Sequence, residues 1–308
     1  MNKEYWNKKN VLITGAHGFV GRNLLSYMKP LDCTLITPTR KELDLVNQKE
    51  TSDFFTSNNM DIVIHLAGLV GGIAVNNSRL GDFFYQNAMA GINTLHYSHV
   101  NGVEKFVGLA AGCGYPDVAI PFKESDFWNG FPDKNSYGYS MAKKNLITQS
   151  WAYRDQYGFD STMLIPANLY GPYDNFDLET SHVVPALVRK FVEAEDEVVI
   201  WGSGKASREF IYVEDICKAI VESCEVKDLR GPYNLGTGVE TTIKELIEAV
   251  SIATGFNGKI VWDNSRPDGQ NRRYYDMSEF RKDIGEVPST PLLEGIQKTV
   301  NWYKSEHP

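Results

Sequence analysis

The chain has 308 residues, of which 42% are hydrophobic and 23% charged, and carries a formal net charge of −8. That length exceeds what one small core needs, and the composition excludes the disordered and fibrous classes. The acidic balance argues against a nucleic-acid partner, which needs a basic face, and points to a small molecule.

The opening "MNKEYWNKKN" is polar and is followed by only a short apolar run. It reads as neither a signal peptide nor a membrane span, so no membrane partner and a cytoplasmic location are expected. "NVLITGAHGFVGRNLLSYM" reads as a buried strand (Val11 to Thr14), a glycine turn and an amphipathic helix. Strand-like runs then alternate with helical stretches at 33–37, 61–68, 105–111 and 161–169. This alternation predicts an α/β fold, a doubly wound parallel sheet of the Rossmann kind. Beyond Pro172 the polar loop "YDNFDLETSH" precedes a helix at 183–194 and short strands at 197–204, 232–238 and 259–265. The expected organisation is a dinucleotide-binding domain over 1–172 and a smaller α+β substrate lobe over 173–308, with segments returning to the first domain. Cys33, Cys113, Cys217 and Cys224 form no CxxC pair and no zinc spacing, so a reducing compartment and no metal site are expected.

Gly15, Gly18 and Gly21 form GxxGxxG between the first strand and first helix. Such a loop lets the backbone approach a pyrophosphate lying on the helix N-terminus. The second strand ends in Thr37, Pro38, Thr39 and Arg40, without the acid that holds an NAD ribose. Arg40 is read as a ligand of the NADP 2′-phosphate or as a solvated loop charge; NADP is favoured and NAD stays open. Asp44 and Leu45 fit contacts on the adenine side. In "YSMAK", Tyr139 and Lys143 stand at i, i+4 on one helix face. A phenol can exchange a proton with a substrate oxygen, and a nearby ammonium should bring its phenolate within reach of neutral pH. Cys113, in "LAAGCGYP", sits among very small residues. It reads as a core-filling sulfur or as a group with open space kept around it.

With these residues in place the chain resembles the extended short-chain dehydrogenase/reductases acting on nucleotide sugars, and within them the GDP-L-fucose synthase (3,5-epimerase/4-reductase) group. The resemblance runs nearly end to end through "TGAHGFVG", "HLAGLVGGIAVNN", "CGYP", "YGYSMAKK", "NLYGPYDNF", "SHVVPALVRKFVEA", "WGSG", "REFIYVED" and "RPDG". It implies an enzyme that binds NADP(H) and a GDP-linked 4-keto sugar, epimerises carbons beside the ketone and reduces the ketone. It assigns Cys113 and His182 to the acid/base pair beside Tyr139 and Lys143. It places Gly15, His17, Gly18, Phe19, Val20, Arg40, Asp44, Leu45, Leu66, Ala67, Gly68, Asn87, Tyr139, Lys143, Pro166, Asn168, Leu169 and His182 along the cofactor. It places Ala111, Cys113, Asn168, Arg189, Trp201, Arg208 and either Arg272 or Arg273 along the substrate. His182 would open the helix "SHVVPAL", with Ser181 capping it and the dipole favouring a neutral imidazole. Apolar faces on the helices of "FFYQNAMAGINTL" and "YSMAKKNLITQSWAY" imply a homodimer.

The chain also departs from that family. Ala111 stands where the family carries a catalytic Ser, and Gly112 where a second Ser is common. One hydrogen bond to a developing oxyanion is worth about 2–4 kcal/mol. Three outcomes stay open: another donor restores full activity, epimerisation survives with poor reduction, or the redox task has shifted. His17 and Pro38 replace two family arginines near the 2′-phosphate, leaving Arg40. The alternatives are therefore a C4 dehydrogenase with tightly held NAD(H), an epimerase without net redox, or a non-catalytic NAD(P) sensor.

Overall fold

The computed structural model describes residues 2–265, 272–286 and 289–307, leaving aside the side chains of Ile73 and Ala74. The "RPDG" stretch lies outside the described residues. Val11, Leu12 and Ile13 have no exposed surface because their strand, β1 (Lys9–Thr14), is flanked on both edges and covered on both faces. Its neighbours are β2 (Cys33–Ile36) and β3 (Ile62–His65), and the sheet continues through β4 (Lys105–Leu109) and β5 (Ser161–Pro166). Every pairing in it is parallel, which requires a crossover between successive strands. The crossovers are α2 (Phe19–Met28), α3 (Gln48–Ser57), α5 (Leu80–Val100) and α6 (Tyr137–Tyr157), preceded by short α1 (Lys3–Trp6) and α4 (Ile73–Ser78).

Strand 161–169, expected as one run, is two. Past Pro166 the Ala167 amide donates to Leu235 O and the Asn168 amide to Glu209 O, so the chain changes partners. The second piece is β6 (Asn168–Tyr170). Pro166, which has no N–H for the ladder, stands at this break.

After β6 come α7 (Val183–Glu193), β7 (Glu197–Trp201), β8 (Ser207–Arg208) and β9 (Phe210–Tyr212). Then follow α8 (Val213–Glu225), β10 (Tyr233–Leu235), β11 (Thr241–Thr242), α9 (Ile243–Thr254), β12 (Lys259–Asp263), α10 (Ser278–Asp283) and α11 (Leu292–Glu306). β6 pairs with β9, β7 with β12 and β8 with β11 in small two-stranded sheets. β10 instead returns to the large sheet as a sixth parallel strand beside β5, giving the order β10-β5-β4-β3-β1-β2. Strand order reverses between β1 and β3, so a crevice opens at their carboxyl ends. No helix among the described residues is long and apolar enough to cross a membrane.

Candidate active site

The crevice is lined by Thr14, Gly15, His17 and Gly18 after β1, by Pro38 to Arg40 and Leu43 to Val46 after β2, and by Ala67 to Leu69 after β3. Gln86 and Ala90 of α5 close it. Gly15 is glycine for two reasons: its φ of +72° is left-handed, and a Cβ would stand 2.7 Å from the Ala67 amide nitrogen. A Cβ on Gly21 would run into the Gly15 carbonyl, so the third glycine lets α2 approach the turn. Gly18 is the N-cap of α2 and makes no side-chain cap bond. The first-turn N–H groups of α2, at Phe19 and Val20, thus face the region where an anion gains most from the dipole. A backbone cradle that side chains would fill suits a pyrophosphate.

His65, at the end of β3, accepts or donates at Nδ1 with the Thr14 hydroxyl at 2.9 Å, and the Ala67 amide donates to the same hydroxyl at 3.3 Å. Burial, then the charge of Lys143, lowers the His65 pKa to about 3, so its imidazole is neutral. This buried link fixes the floor of the crevice beneath Leu66 and Ala67; sequence reading passed over it. Asn87 is committed to the protein: its Oδ1 accepts from the Leu69 amide at 2.9 Å and its Nδ2 donates to Leu69 O and Phe83 O. It clamps the loop that carries Gly68. At the far end Arg40 donates to the Gln86 side chain at 3.4 Å, and His17 Nε2 lies 3.1 Å from Thr37 O. Asp44 receives the Val46 amide, while Leu45 is buried.

Lys143 joins this crevice to a second group of residues. Its Nζ donates to Leu109 O at 2.9 Å and would stand 3.7 Å from a Cβ on Gly68, a residue of the crevice lining. It lies 5.8 Å from the centroid of the Tyr139 ring. Burial lowers the Lys143 pKa to about 8. Burial, then the neighbouring Cys113, raises that of Tyr139. Tyr139 is half-buried and its pKa is raised, so the phenol holds its proton at neutral pH and the expected accessible phenolate does not appear. Ser140, fully buried one residue further on, donates to Cys113 Sγ at 3.1 Å and to Cys113 O at 3.1 Å. Cys113 itself occupies a single 3₁₀ turn, Gly112–Gly114, directly after β4 and Ala111.

His182 is the N-cap of α7, with extended backbone and no side-chain cap bond. The expected Ser181 cap does not form; the Ser181 amide donates to Asp177 O and its buried hydroxyl has no partner among the described residues. His182 remains accessible to solvent, while partial burial of the ring lowers its pKa and keeps the imidazole neutral near pH 7. Its loop lies against the segment that follows the crevice lining after β3: a Cβ on Gly72 would stand 3.3 Å from Thr180 O.

The structure separates the arginines. Arg189 donates to Glu193 at 2.9 Å and to Phe176 O at 3.2 Å, whereas its neighbour Lys190 lies over the exposed Trp201 ring at 5.4 Å. Lys190 is therefore a cation beside Trp201, and a residue that sequence reading missed. Arg272 forms a two-bond fork with Glu240 at 2.7 and 2.6 Å. Arg273 reaches the active-site turn and donates to Gly112 O. Burial, then the positive charge of Arg273, lowers the Arg208 pKa, so two guanidinium groups share one region. Asn168 donates from Nδ2 to Glu209 O at 2.8 Å; Leu169 pairs with Ile211, and the Pro166 carbonyl faces Gly112. Glu209, fully buried, was also missed: its carboxylate gathers the amides of Thr237, Gly238 and Tyr275.

A profile of the NAD dependent epimerase/dehydratase family matches residues 11–236. The chain is 36% identical over 312 residues to the GDP-L-fucose synthase of Escherichia coli (strain K12), covering 96% of this chain and 97% of that one. Among solved structures it resembles a GDP-6-OMe-4-keto-L-xylo-heptose reductase from Campylobacter jejuni, with TM-score 0.90, 30% identity and coverage of 100% and 99% of the two chains. It also resembles MlghC, a GDP-mannoheptose C4 reductase from Campylobacter jejuni solved with NADP bound, with TM-score 0.88, 30% identity and coverage of 97% and 99%. Glycine turn, strand order and near-complete coverage agree: the chain belongs to the NAD dependent epimerase/dehydratase family, as an extended short-chain dehydrogenase/reductase of the nucleotide-sugar type.

Proposed function

We propose that the protein is an NADPH-dependent enzyme that epimerises a GDP-linked 4-keto-6-deoxy sugar, a hexose or heptose, beside the ketone and reduces it at C4. One observation carries the reading. Ser140, next to Tyr139, donates to the Cys113 sulfur at 3.1 Å, while Lys143 of the same helix abuts Gly68 of the dinucleotide crevice. Thiol, phenol and ammonium thus converge at one end of that crevice.

Gly15, Gly18 and the first turn of α2 hold the pyrophosphate, and Arg40 with His17 holds the 2′-phosphate. The relative solved with NADP supports this choice of cofactor. NADPH, when bound, supplies the hydride for the ketone carbon. Tyr139, kept protonated by burial, gives its proton to the ketone oxygen, and the Lys143 ammonium favours negative charge developing there. For epimerisation, one of Cys113 and His182 removes the proton from a carbon beside the ketone and the other returns one to the opposite face. A neutral imidazole can accept a proton and a thiol can donate one, which fits that division. Arg208 with Trp201 and Lys190 receives the diphosphate and base, through guanidinium–phosphate hydrogen bonds and stacking.

The protein acts as a homodimer in the cytoplasm. Phe84, Tyr85, Ile92 and Val100 of α5 and Tyr157 of α6 expose apolar surface on the two helices that pack together, a pattern that fits a second copy. The product, an activated sugar, is of the class consumed by glycosyl transfer into polysaccharide. Incubation with GDP-4-keto-6-deoxy-D-mannose and NADPH should consume nicotinamide absorbance and, in heavy water, label the carbons beside the ketone. No absorbance loss with any GDP-4-keto sugar refutes the reductase.

A further inference from the structure

The turn bearing Cys113 has an unusual neighbour. Ala111 and Gly112 bring no polar side chain to it, yet a Cβ built on Gly112 would land on the hydroxyl of Tyr275, 163 positions further along the chain. The same Cβ would stand 3.1 Å from Pro166 O, so β5 closes the other side. The space that a side chain at 112 needs is filled by a phenol from a distant segment.

That segment is fixed from several directions. The Tyr275 amide donates to buried Glu209 at 2.8 Å. The Phe122 amide donates to Tyr274 O and the Asp276 amide to Phe122 O, both at 2.9 Å. The Tyr275 ring meets Tyr115 and Phe122 edge-on, with centroids 5.8 Å away in each case, and is buried. Arg273 completes the arrangement: its guanidinium lies over the Phe122 ring at 5.5 Å and donates to Gly112 O, the residue against which the Tyr275 hydroxyl packs. Gly112 O also takes the Tyr115 amide at 3.1 Å. The residue just before Cys113 is therefore held at its carbonyl by a cation and flanked at its Cα by a phenol oxygen.

We propose that Tyr275 is a positioning residue for the Cys113 thiol: its hydroxyl replaces a side chain at residue 112 and orients Arg273 onto the Gly112 carbonyl, which sets where the sulfur meets the sugar. The inference rests on the proton-transfer role of Cys113 given above. It makes Gly112 and Tyr275 a matched pair, neither of which can change alone.

Four variants test it: Tyr275→Phe, Gly112→Ala, and the doubles Gly112→Ser/Tyr275→Phe and Gly112→Ala/Tyr275→Phe. For each, deuterium entry from heavy water into GDP-4-keto-6-deoxy-D-mannose is measured beside the dissociation constant for NADPH. Misplacing a reacting group by an ångström costs on the order of a hundredfold, so Tyr275→Phe and Gly112→Ala should each slow labelling roughly ten- to a hundredfold with NADPH affinity unchanged. The Ser/Phe double returns a hydroxyl to the same space and should recover most of the rate; the Ala/Phe double, which restores volume alone, should not. Equal recovery by both doubles reduces Tyr275 to a space filler and overturns the proposal, as does full labelling by Tyr275→Phe. Cys113→Ser separates the two levels. If it abolishes labelling while Tyr275→Phe does not, only this inference falls; if it labels like the wild type, the role of Cys113 falls and takes the inference with it.

Discussion

The Ser140 hydroxyl donates to the sulfur of Cys113 at 3.1 Å, across 27 residues of sequence, from the helix turn that also carries Tyr139. The bond fixes the thiol relative to the phenol, so the groups proposed for epimerisation and for reduction share one mounting. Ser140→Ala removes that donor but leaves Cys113 and Tyr139 in place. Deuterium entry beside the ketone should fall roughly three- to tenfold, the range of one net hydrogen bond. Measurement of labelling and of NADPH oxidation in one sample checks whether the first falls more than the second.

Tyr139→Phe keeps the ring and deletes the proton it gives. NADPH oxidation should drop by about 10²–10⁴ while the dissociation constant for NADPH stays within twofold, as stopped-flow and fluorescence titration would show. Labelling that persists in this variant separates proton exchange from hydride transfer.

Lys143 predicts the alkaline side of the rate profile. Its pKa, lowered by burial to about 8, means that the free protein loses this charge as pH rises through 8, well before an ordinary lysine does. Reductive kcat/KM should accordingly hold below pH 8 and fall above it. Lys143→Arg, which stays charged, should abolish that fall while lowering the plateau. A profile flat to pH 10 in the wild-type protein excludes the charged lysine from the reaction.

Arg40 predicts cofactor choice. Arg40→Ala should weaken NADPH roughly tenfold, the worth of one charge-assisted hydrogen bond, and leave NADH nearly unchanged. His17→Ala should have the same sign with a smaller effect. Isothermal titration with both nucleotides reads the difference, and equal losses for the two cofactors would place Arg40 away from the 2′-phosphate.

Glu209 predicts a stability effect. Glu209→Ala strands the buried amide of Tyr275, at about 1–3 kcal/mol before relaxation, and takes the acceptor from the less buried amides of Thr237 and Gly238. Thermal unfolding should shift down by several degrees, and Tyr275 should lose its anchor.

Much of this was legible because backbone geometry restricts residue choice. The tight turn after β1 accepts only glycine at residue 15, and parallel strands need alternating helices, so fold and cofactor crevice could be read from spacing. The paired helix positions of Tyr139 and Lys143 were legible for the same reason. What escaped was set by partners distant in sequence. "STMLIPANL" reads as one strand because nothing within it reveals that Leu235 and Glu209 take its amides beyond Pro166. Arg189 and Lys190 differ by one residue, and the choice between them depends on Glu193 one turn later, which captures the arginine. The phenol beside Gly112 was invisible for the same reason. The direction of the Tyr139 shift escaped because the pairing rule counts the ammonium and leaves out the burial of the phenol.

The return of β10 to the edge of β5 has a practical consequence. A fragment ending at residue 172 would keep the glycine turn, the thiol and the phenol, yet would leave the ladder groups of β5 facing water along its outer side. Such a piece would tend to stick to its own copies, so the dinucleotide half is not a portable module. Its last strand lies some seventy residues downstream of β5 and has to be synthesised before the sheet can close.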